Sequence, residues 1–64
     1  MVAKNIKDYL KAKGIRQTWL AEQLGIPNTT LNGYFSGLAQ LKADMFVEIC
    51  QILGEPPETF TEPR

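Results

Sequence analysis

Apolar residues recur along this chain at the spacing of an α-helix, and glycines and prolines divide the pattern into short segments. In the first segment Ile6, Tyr9 and Leu10 stand at positions i, i+3 and i+4, and in the second Leu20 and Leu24 are four residues apart. This spacing places the apolar side chains on one face of a helix. No segment shows the alternation of apolar and polar residues that is typical of a half-buried strand. The pattern therefore predicts an all-α protein of about five short helices.

The segment from about residue 43 to residue 53 predicts a helix that is buried on more than one side, because its apolar surface is wide. Its apolar residues are Met45, Phe46, Ile49, Cys50, Ile52 and Leu53. After Gly54 the sequence EPPETF allows a short final helix that begins near the prolines. We expect Phe60 to return from this last helix to the core.

The stretch IPNTTLNGYFSG, residues 26–37, has the composition of a loop but the periodicity of a helix. Asn32-Gly33 is a strong turn signal, yet the flanking residues lack the alternation that a β-hairpin needs. The apolar residues stand instead at i, i+3, i+4 and i+7 and form one stripe: Leu31, Tyr34, Phe35 and Leu38. This stripe predicts a helix with Asn28 as its N-cap after Pro27, although a glycine inside a helix costs about 1 kcal/mol relative to alanine.

The opposite face of that predicted helix carries only short, uncharged residues: Asn28, Thr29, Asn32, Gly33 and Ser36. A solvated helix face usually carries Lys, Glu, Gln or Arg, whereas Asn and Thr compete for backbone hydrogen bonds and are poor helix formers. Reading of DNA bases gives a reason for such residues, because Asn can bond bidentately to adenine and the Thr methyl can touch the thymine methyl. The alternative is a helix that is merely weak and end-capped.

The formal net charge is zero, but the charges are unevenly distributed along the chain. Residues 1–42 carry six basic and two acidic side chains, whereas residues 43–64 carry one basic and five acidic side chains. Such segregation favours one basic face that suits a polyanion. The alternative is that the two halves simply attract each other.

The remaining chemistry of the chain argues for a single binding domain, residues 1–64, rather than an enzyme. The chain has one cysteine and no histidine, so neither an internal disulfide nor a zinc site of usual Cys/His spacing is expected, and we predict that Cys50 is buried. No acid/base pair, activated nucleophile or phosphate-binding glycine loop is evident, so we expect no catalytic residues, no cofactor, no metal and no small-molecule substrate. No apolar run is long enough to span a membrane and the first residues lack a signal-peptide core, so a cytoplasmic location is expected.

Residues 14–37, GIRQTWLAEQLGIPNTTLNGYFSG, resemble the helix-turn-helix of the Xre-type family, which includes the repressor and Cro proteins of lambdoid phages. The matching features are Gln17 at the start of the second helix, Leu20-Ala21, Leu24-Gly25, Ile26, Thr30-Leu31 and Gly37. The sequence MFVEICQILGEPPETF is similar to the fourth and fifth helices of that family. The resemblance covers roughly residues 4–60 and implies a lambda-repressor-like domain with its helix-turn-helix at about residues 17–36.

The resemblance also implies a function, namely sequence-specific binding of double-stranded DNA by a repressor-like transcriptional regulator. The third helix would enter the major groove, with the base-facing positions at Asn28, Thr29, Asn32 and Gly33. Phosphate contacts would come from Gln17, Ser36, Gln40 and Lys42. A homodimer on a palindromic site is expected, with the contact between the copies near Leu38 and residues 55–60.

Three departures from the family pattern support a competing hypothesis. Arg16 replaces the usual Ser or Thr cap, Gly33 replaces a long base-reading side chain, and the basic residues that commonly follow Gly37 are missing. The three changes predict modest affinity for DNA. The missing basic residues and the zero net charge favour a helical protein-protein interaction module that keeps the fold without binding DNA. Trp19 has two interpretations, either packing against the first helix with its indole edge exposed or donating its indole N–H to the DNA backbone.

Overall fold

Five helices form the chain in a computed structural model, which describes residues 2–61. They are α1 (Val2–Lys13), α2 (Gln17–Leu24), α3 (Asn28–Ser36), α4 (Ala43–Leu53) and α5 (Glu58–Thr61). The prediction of an all-α fold with five helices is confirmed. Within the described residues, none of these helices has the length and apolar character needed to cross a membrane.

Each helix contributes one completely buried side chain to a single core. These residues, in chain order, are Ile6, Leu20, Leu31, Ile49 and Phe60. Cys50 and Phe35 are also buried in this core, so the predictions for Cys50 and for the return of Phe60 are confirmed. Removal of the Cys50 thiol from water raises its pKa above the ordinary value. The core fixes α3 against α1 and α2.

Helix α5 is attached to α1 by polar contacts around the buried Phe60 ring. The Asn5 side-chain amide donates to the Phe60 carbonyl oxygen at 2.7 Å. The Tyr9 hydroxyl donates to Glu55 Oε2 at 2.9 Å, and the Thr59 hydroxyl donates to Glu55 Oε1 at 3.1 Å. The Tyr9 and Phe60 rings meet edge to face with centroids 5.3 Å apart. The hydrogen bond to Glu55 is the main reason why the pKa of Tyr9 is raised.

The turn between α2 and α3 is shaped by Gly25 and Pro27. Gly25 has φ of 70°, and beyond it the Ile26 N–H donates to the Ala21 carbonyl at 3.1 Å, which completes the helix end. Pro27, with extended backbone at φ −62° and ψ 146°, is the N-cap of α3. The prediction that Asn28 is the N-cap is therefore wrong by one residue. Because proline is already fixed near the required φ, the helix begins directly after it.

The apolar stripe of α3 ends earlier than its periodicity suggests. Leu31 and Phe35 are buried and Tyr34 is half-buried, but Leu38 is 88% exposed. The prediction that Leu38 continues the apolar stripe of this helix is wrong, because Gly37 adopts φ of 85° and ends the helix at Ser36. A residue beyond such a left-handed position no longer follows the helical repeat.

Replacing Gly33 by alanine should stabilise the protein by up to about 1 kcal/mol, because alanine loses less conformational freedom in a helix. Gly33 does not have a positive φ, and an added Cβ would meet the Ala39 Cβ at 3.9 Å, an ordinary van der Waals distance. The matched control, Gly37→Ala, should instead destabilise by about 1–2 kcal/mol, because its φ is left-handed. Urea unfolding followed by circular dichroism measures both, and a lower midpoint for Gly33→Ala would contradict the reasoning.

The Tyr9–Glu55 hydrogen bond should give the protein a pH-dependent stability in the alkaline range. A raised folded pKa means that the contribution is complete below the unfolded value of 10.0 and is lost as the pH rises through the folded pKa. Tyr9→Phe should therefore cost about 1 kcal/mol near neutral pH, and the difference from the wild type should shrink above pH 10. Urea midpoints between pH 7 and 11 test this, with Tyr34→Phe as the control for losing a phenol hydroxyl elsewhere. A difference that stays constant over that range would rule the mechanism out.

Candidate nucleic-acid interface

The exposed side of α3 is a surface of short, uncharged side chains. Asn28, Thr29, Asn32 and Ser36 are exposed, and Gly33 lies among them and is half-buried. Thr30 is also exposed, at the edge of this surface, although no contact with DNA was predicted for it. The surface therefore includes the four residues predicted to face bases. Thr29 and Gly33 lie on the side of α3 opposite to the buried Leu31 and Phe35. Asn28 is seven positions before Phe35, on the same side of the helix, and is exposed as the first residue of α3.

A side-chain hydrogen bond joins the first residue of α2 to the first residue of α3. Gln17 Nε2 donates to Asn28 Oδ1 at 3.2 Å. The bond fixes which way the Asn28 amide faces, because its oxygen is turned toward Gln17. Gln17 keeps a second N–H on the same nitrogen, and Asn28 keeps both N–H donors and one lone pair. The two amides thus form one oriented unit across the helix-turn-helix.

The loop after α3 folds back onto the exposed side of that helix. The Ala39 N–H donates to the Gly33 carbonyl at 3.1 Å, and the Ala39 methyl lies 3.9 Å from where a Gly33 Cβ would stand. The Ser36 hydroxyl donates to the same Gly33 carbonyl at 3.3 Å. The backbone that approaches Gly33 is therefore that of its own following loop. The residues around Gly33 form the C-terminal end of the exposed surface.

Of the four residues predicted to contact phosphates, Ser36 lies on α3 and the other three line two separate cavities. Gln17 lines a shallow cavity of about 270 Å³ together with Lys7 and Lys11 of α1, which places these two lysines beside it. Gln40 and Lys42 line a different cavity, of about 500 Å³, at the start of α4. The sequence periodicity could not place the α1 lysines, because their position depends on how α1 packs against the start of α2.

Residues 6–60 match the family model described as helix-turn-helix. The chain belongs to the Xre-type helix-turn-helix family. This is a family of DNA-binding transcription regulators. No curated protein and no solved structure matches the chain significantly.

In this Xre-type domain both helices of the helix-turn-helix lack a side-chain cap at their start. Arg16 precedes α2 and Pro27 precedes α3, and neither side chain bonds the helix N-terminus. The first N–H groups of a helix have no partner within the helix. The starts of α2 and α3 are therefore left with backbone donors that an anion can use.

Trp19 lies on the outer side of the Xre-type domain, beside the turn between α1 and α2. It is 42% exposed and lines a cavity of about 360 Å³ with Gly14, Ile15 and Arg16. On the α2 wheel Trp19 is about 200° from Gln17, since successive helical residues turn by about 100°. This position agrees with the interpretation in which the indole edge of Trp19 is exposed. A contact between the indole N–H and the DNA backbone beside Gln17 would require the side chain to reach around the helix.

Proposed function

We propose that this protein is a sequence-specific reader of double-stranded DNA, a repressor-like transcriptional regulator of a bacterium or phage that acts in the cytoplasm. The observation that carries the proposal is the Gln17–Asn28 hydrogen bond, which orients an amide at the head of an uncharged helix face. A helix-turn-helix reads DNA by placing the N-terminal residues of its second helix at base edges in the major groove. In this chain that helix is α3.

Base reading would come from Asn28, Thr29 and Asn32. With its oxygen turned toward Gln17, the Asn28 amide still has two N–H donors and one lone pair, which is enough for bidentate contact with adenine. Asn32 stands one turn further along the exposed side and offers a second amide. Thr29 offers a methyl group and a hydroxyl. Gly33 offers no reading side chain, and the Ala39 methyl group lies over it.

Phosphate binding would come from the start of α2 and from the loop that follows α3. Gln17 can hold Asn28 with one N–H and a phosphate oxygen with the other. Lys7 and Lys11 add charge beside it, and Gln40 and Lys42 act from the loop. Ser36 donates to the Gly33 carbonyl, so a phosphate contact requires its hydroxyl to turn away from the helix.

Two copies of the chain would bind a palindromic site as a dimer, because one small module buries little surface on DNA. The contact expected from the sequence, near Leu38 and residues 55–60, needs one correction. Phe60 is completely buried and Glu55 is bonded to Tyr9, so neither is available as an apolar contact for a second copy. Pro56 and Pro57 are exposed in the same segment.

Selection of bound sequences from a random duplex pool tests the proposal most directly. A DNA reader should enrich one sequence pattern and should lose affinity steeply between 50 and 200 mM salt, because bound phosphates release counterions (about 0.9 per neutralised phosphate). The competing function, a helical module that binds proteins, predicts weak binding without enrichment. The observation that supports this competing function is the low charge of the loop after α3, because residues 37–42 carry only one charged side chain, that of Lys42.

Alanine substitution of Asn28 or Thr29 should relax specificity at one base pair for each residue. The expected loss is about 1–3 kcal/mol at that base pair, with little change in affinity for random duplex. Competition binding against single base-pair variants of the selected site measures this. Gln51→Ala removes an exposed amide on α4 and should change neither quantity. Equal discrimination by wild type and both variants would refute the assignment of α3 as the reading helix.

Replacement of Lys7 and Lys11 by glutamine should weaken binding to all duplexes alike. Each lost phosphate contact should lower the slope of log affinity against log salt by about 1. Fluorescence anisotropy at several salt concentrations gives the slope. Lys13→Gln is the matched control, because the Lys13 ammonium lies over the Tyr9 ring, 5.8 Å from its centroid. A double variant whose slope equals that of the wild type would place these lysines away from DNA.

A further inference from the structure

Leu38 is far more exposed than any other large apolar residue among residues 2–61. Its exposed fraction is 88%, compared with 42% for Trp19 and 47% for Val47. Single exposed apolar residues are ordinary on protein surfaces, so exposure alone gives Leu38 no role. What distinguishes Leu38 is the place where the chain puts it.

The geometry of the loop places Leu38 at the C-terminal end of the exposed surface of α3. Gly37 turns the chain out of the helix with φ of 85°. The next residue but one, Ala39, returns to α3, where its N–H bonds the Gly33 carbonyl at 3.1 Å and its methyl lies 3.9 Å from the Cβ direction of Gly33. Leu38 lies between these two fixed points. It therefore projects into solvent next to the surface that Asn32 and Gly33 share.

The side chains at the C-terminal end of the exposed surface of α3 differ in chemistry from those near its start. Near its start α3 presents the amide of Asn28 and the hydroxyl of Thr29, whereas Leu38 and Ala39 present only hydrocarbon. Neither side chain can donate a hydrogen bond to a phosphate oxygen. In the major groove of DNA the apolar feature of a base edge is the C5 methyl group of thymine.

We propose that Leu38, supported by Ala39, forms a second reading element that contacts a thymine methyl group beside the base pairs read by α3. This inference rests on the proposed function, because it requires α3 to lie in the major groove. It assigns Leu38 to DNA in place of the contact between two copies that the sequence predicted for it. Gly33 is part of the arrangement, since a long side chain at that position would occupy the space in which Ala39 meets the helix. The loop would then add sequence discrimination at a position that α3 itself does not reach.

Replacement of single thymines by deoxyuridine in the selected duplex tests the proposal. Uracil keeps every hydrogen-bonding group of thymine and lacks only the methyl, so the change isolates the apolar contact. For the wild type, one thymine in each half-site should show a loss of roughly four-fold, the value of burying one methyl group. Leu38→Ala should bind the thymine duplex roughly four-fold more weakly per half-site, and it should no longer distinguish thymine from uracil at that position.

Val47→Ala is the matched control, because it shortens another exposed apolar side chain on α4. This variant should keep the thymine preference of the wild type. Thr29→Ala identifies any thymine that is read by the threonine methyl, so that the two methyl contacts are not confused. Thermal unfolding of Leu38→Ala should match the wild type, since the removed atoms are already in water.

The outcomes separate this proposal from the function on which it rests. If Leu38→Ala keeps the wild-type preference for thymine at every position, the proposal is overturned while sequence-specific binding stands. If Leu38→Ala weakens binding to thymine and uracil duplexes alike and lowers the mass in sedimentation equilibrium, Leu38 belongs to a contact between two copies and the proposal is likewise overturned. If the wild type enriches no sequence at all, the proposed function fails together with it.

Discussion

One completely buried side chain from each of five helices holds this small protein together, and the orientation of its helix-turn-helix depends on that core. Leu20 and Leu31 are the contributions of α2 and α3. Short helices are marginal by themselves and gain their stability from packing of an apolar face. Because Leu31 and Phe35 supply that packing for α3, its other face can carry asparagine, threonine and glycine, which are poor helix formers.

The interior of each helix could be predicted from the sequence, whereas its ends depended on single residues. Periodicity identified the buried positions of α3 because side chains repeat every 3.6 residues wherever the backbone stays helical. The sequence prediction was wrong about Asn28 as the N-cap and about Leu38 as part of the helical stripe, and these residues lie at the two ends of that helix. Pro27 sets the first of these ends by its fixed φ, and Gly37 sets the second by adopting a left-handed conformation. Neither effect is part of a hydrophobic repeat.

The candidate site was predicted as a set of residues but not as an arrangement. The residues on the exposed side of α3 follow from one helix, so a helical wheel was enough to group them. The bond between Gln17 and Asn28 joins residues eleven positions apart, and its existence depends on the angle that the Gly25–Pro27 turn imposes. The position of Lys7 beside Gln17 depends in the same way on packing between α1 and α2. Their roles toward DNA remain predictions.

A net charge of zero does not oppose DNA binding in a molecule with this distribution of charge. At physiological salt, exposed charges are largely screened beyond about 8 Å, whereas the described part of the chain extends 28 × 22 × 20 Å. Helix α3 carries no acidic side chain, and Glu55 is held by hydrogen bonds from Tyr9 and Thr59 at the contact between α1 and α5. A phosphate near Gln17 would therefore respond chiefly to the charges close to it, which include Arg16 beside it in the chain and the α1 lysines Lys7 and Lys11, which line the same cavity. For association with DNA, the local charge around α2 and α3 matters more than the total.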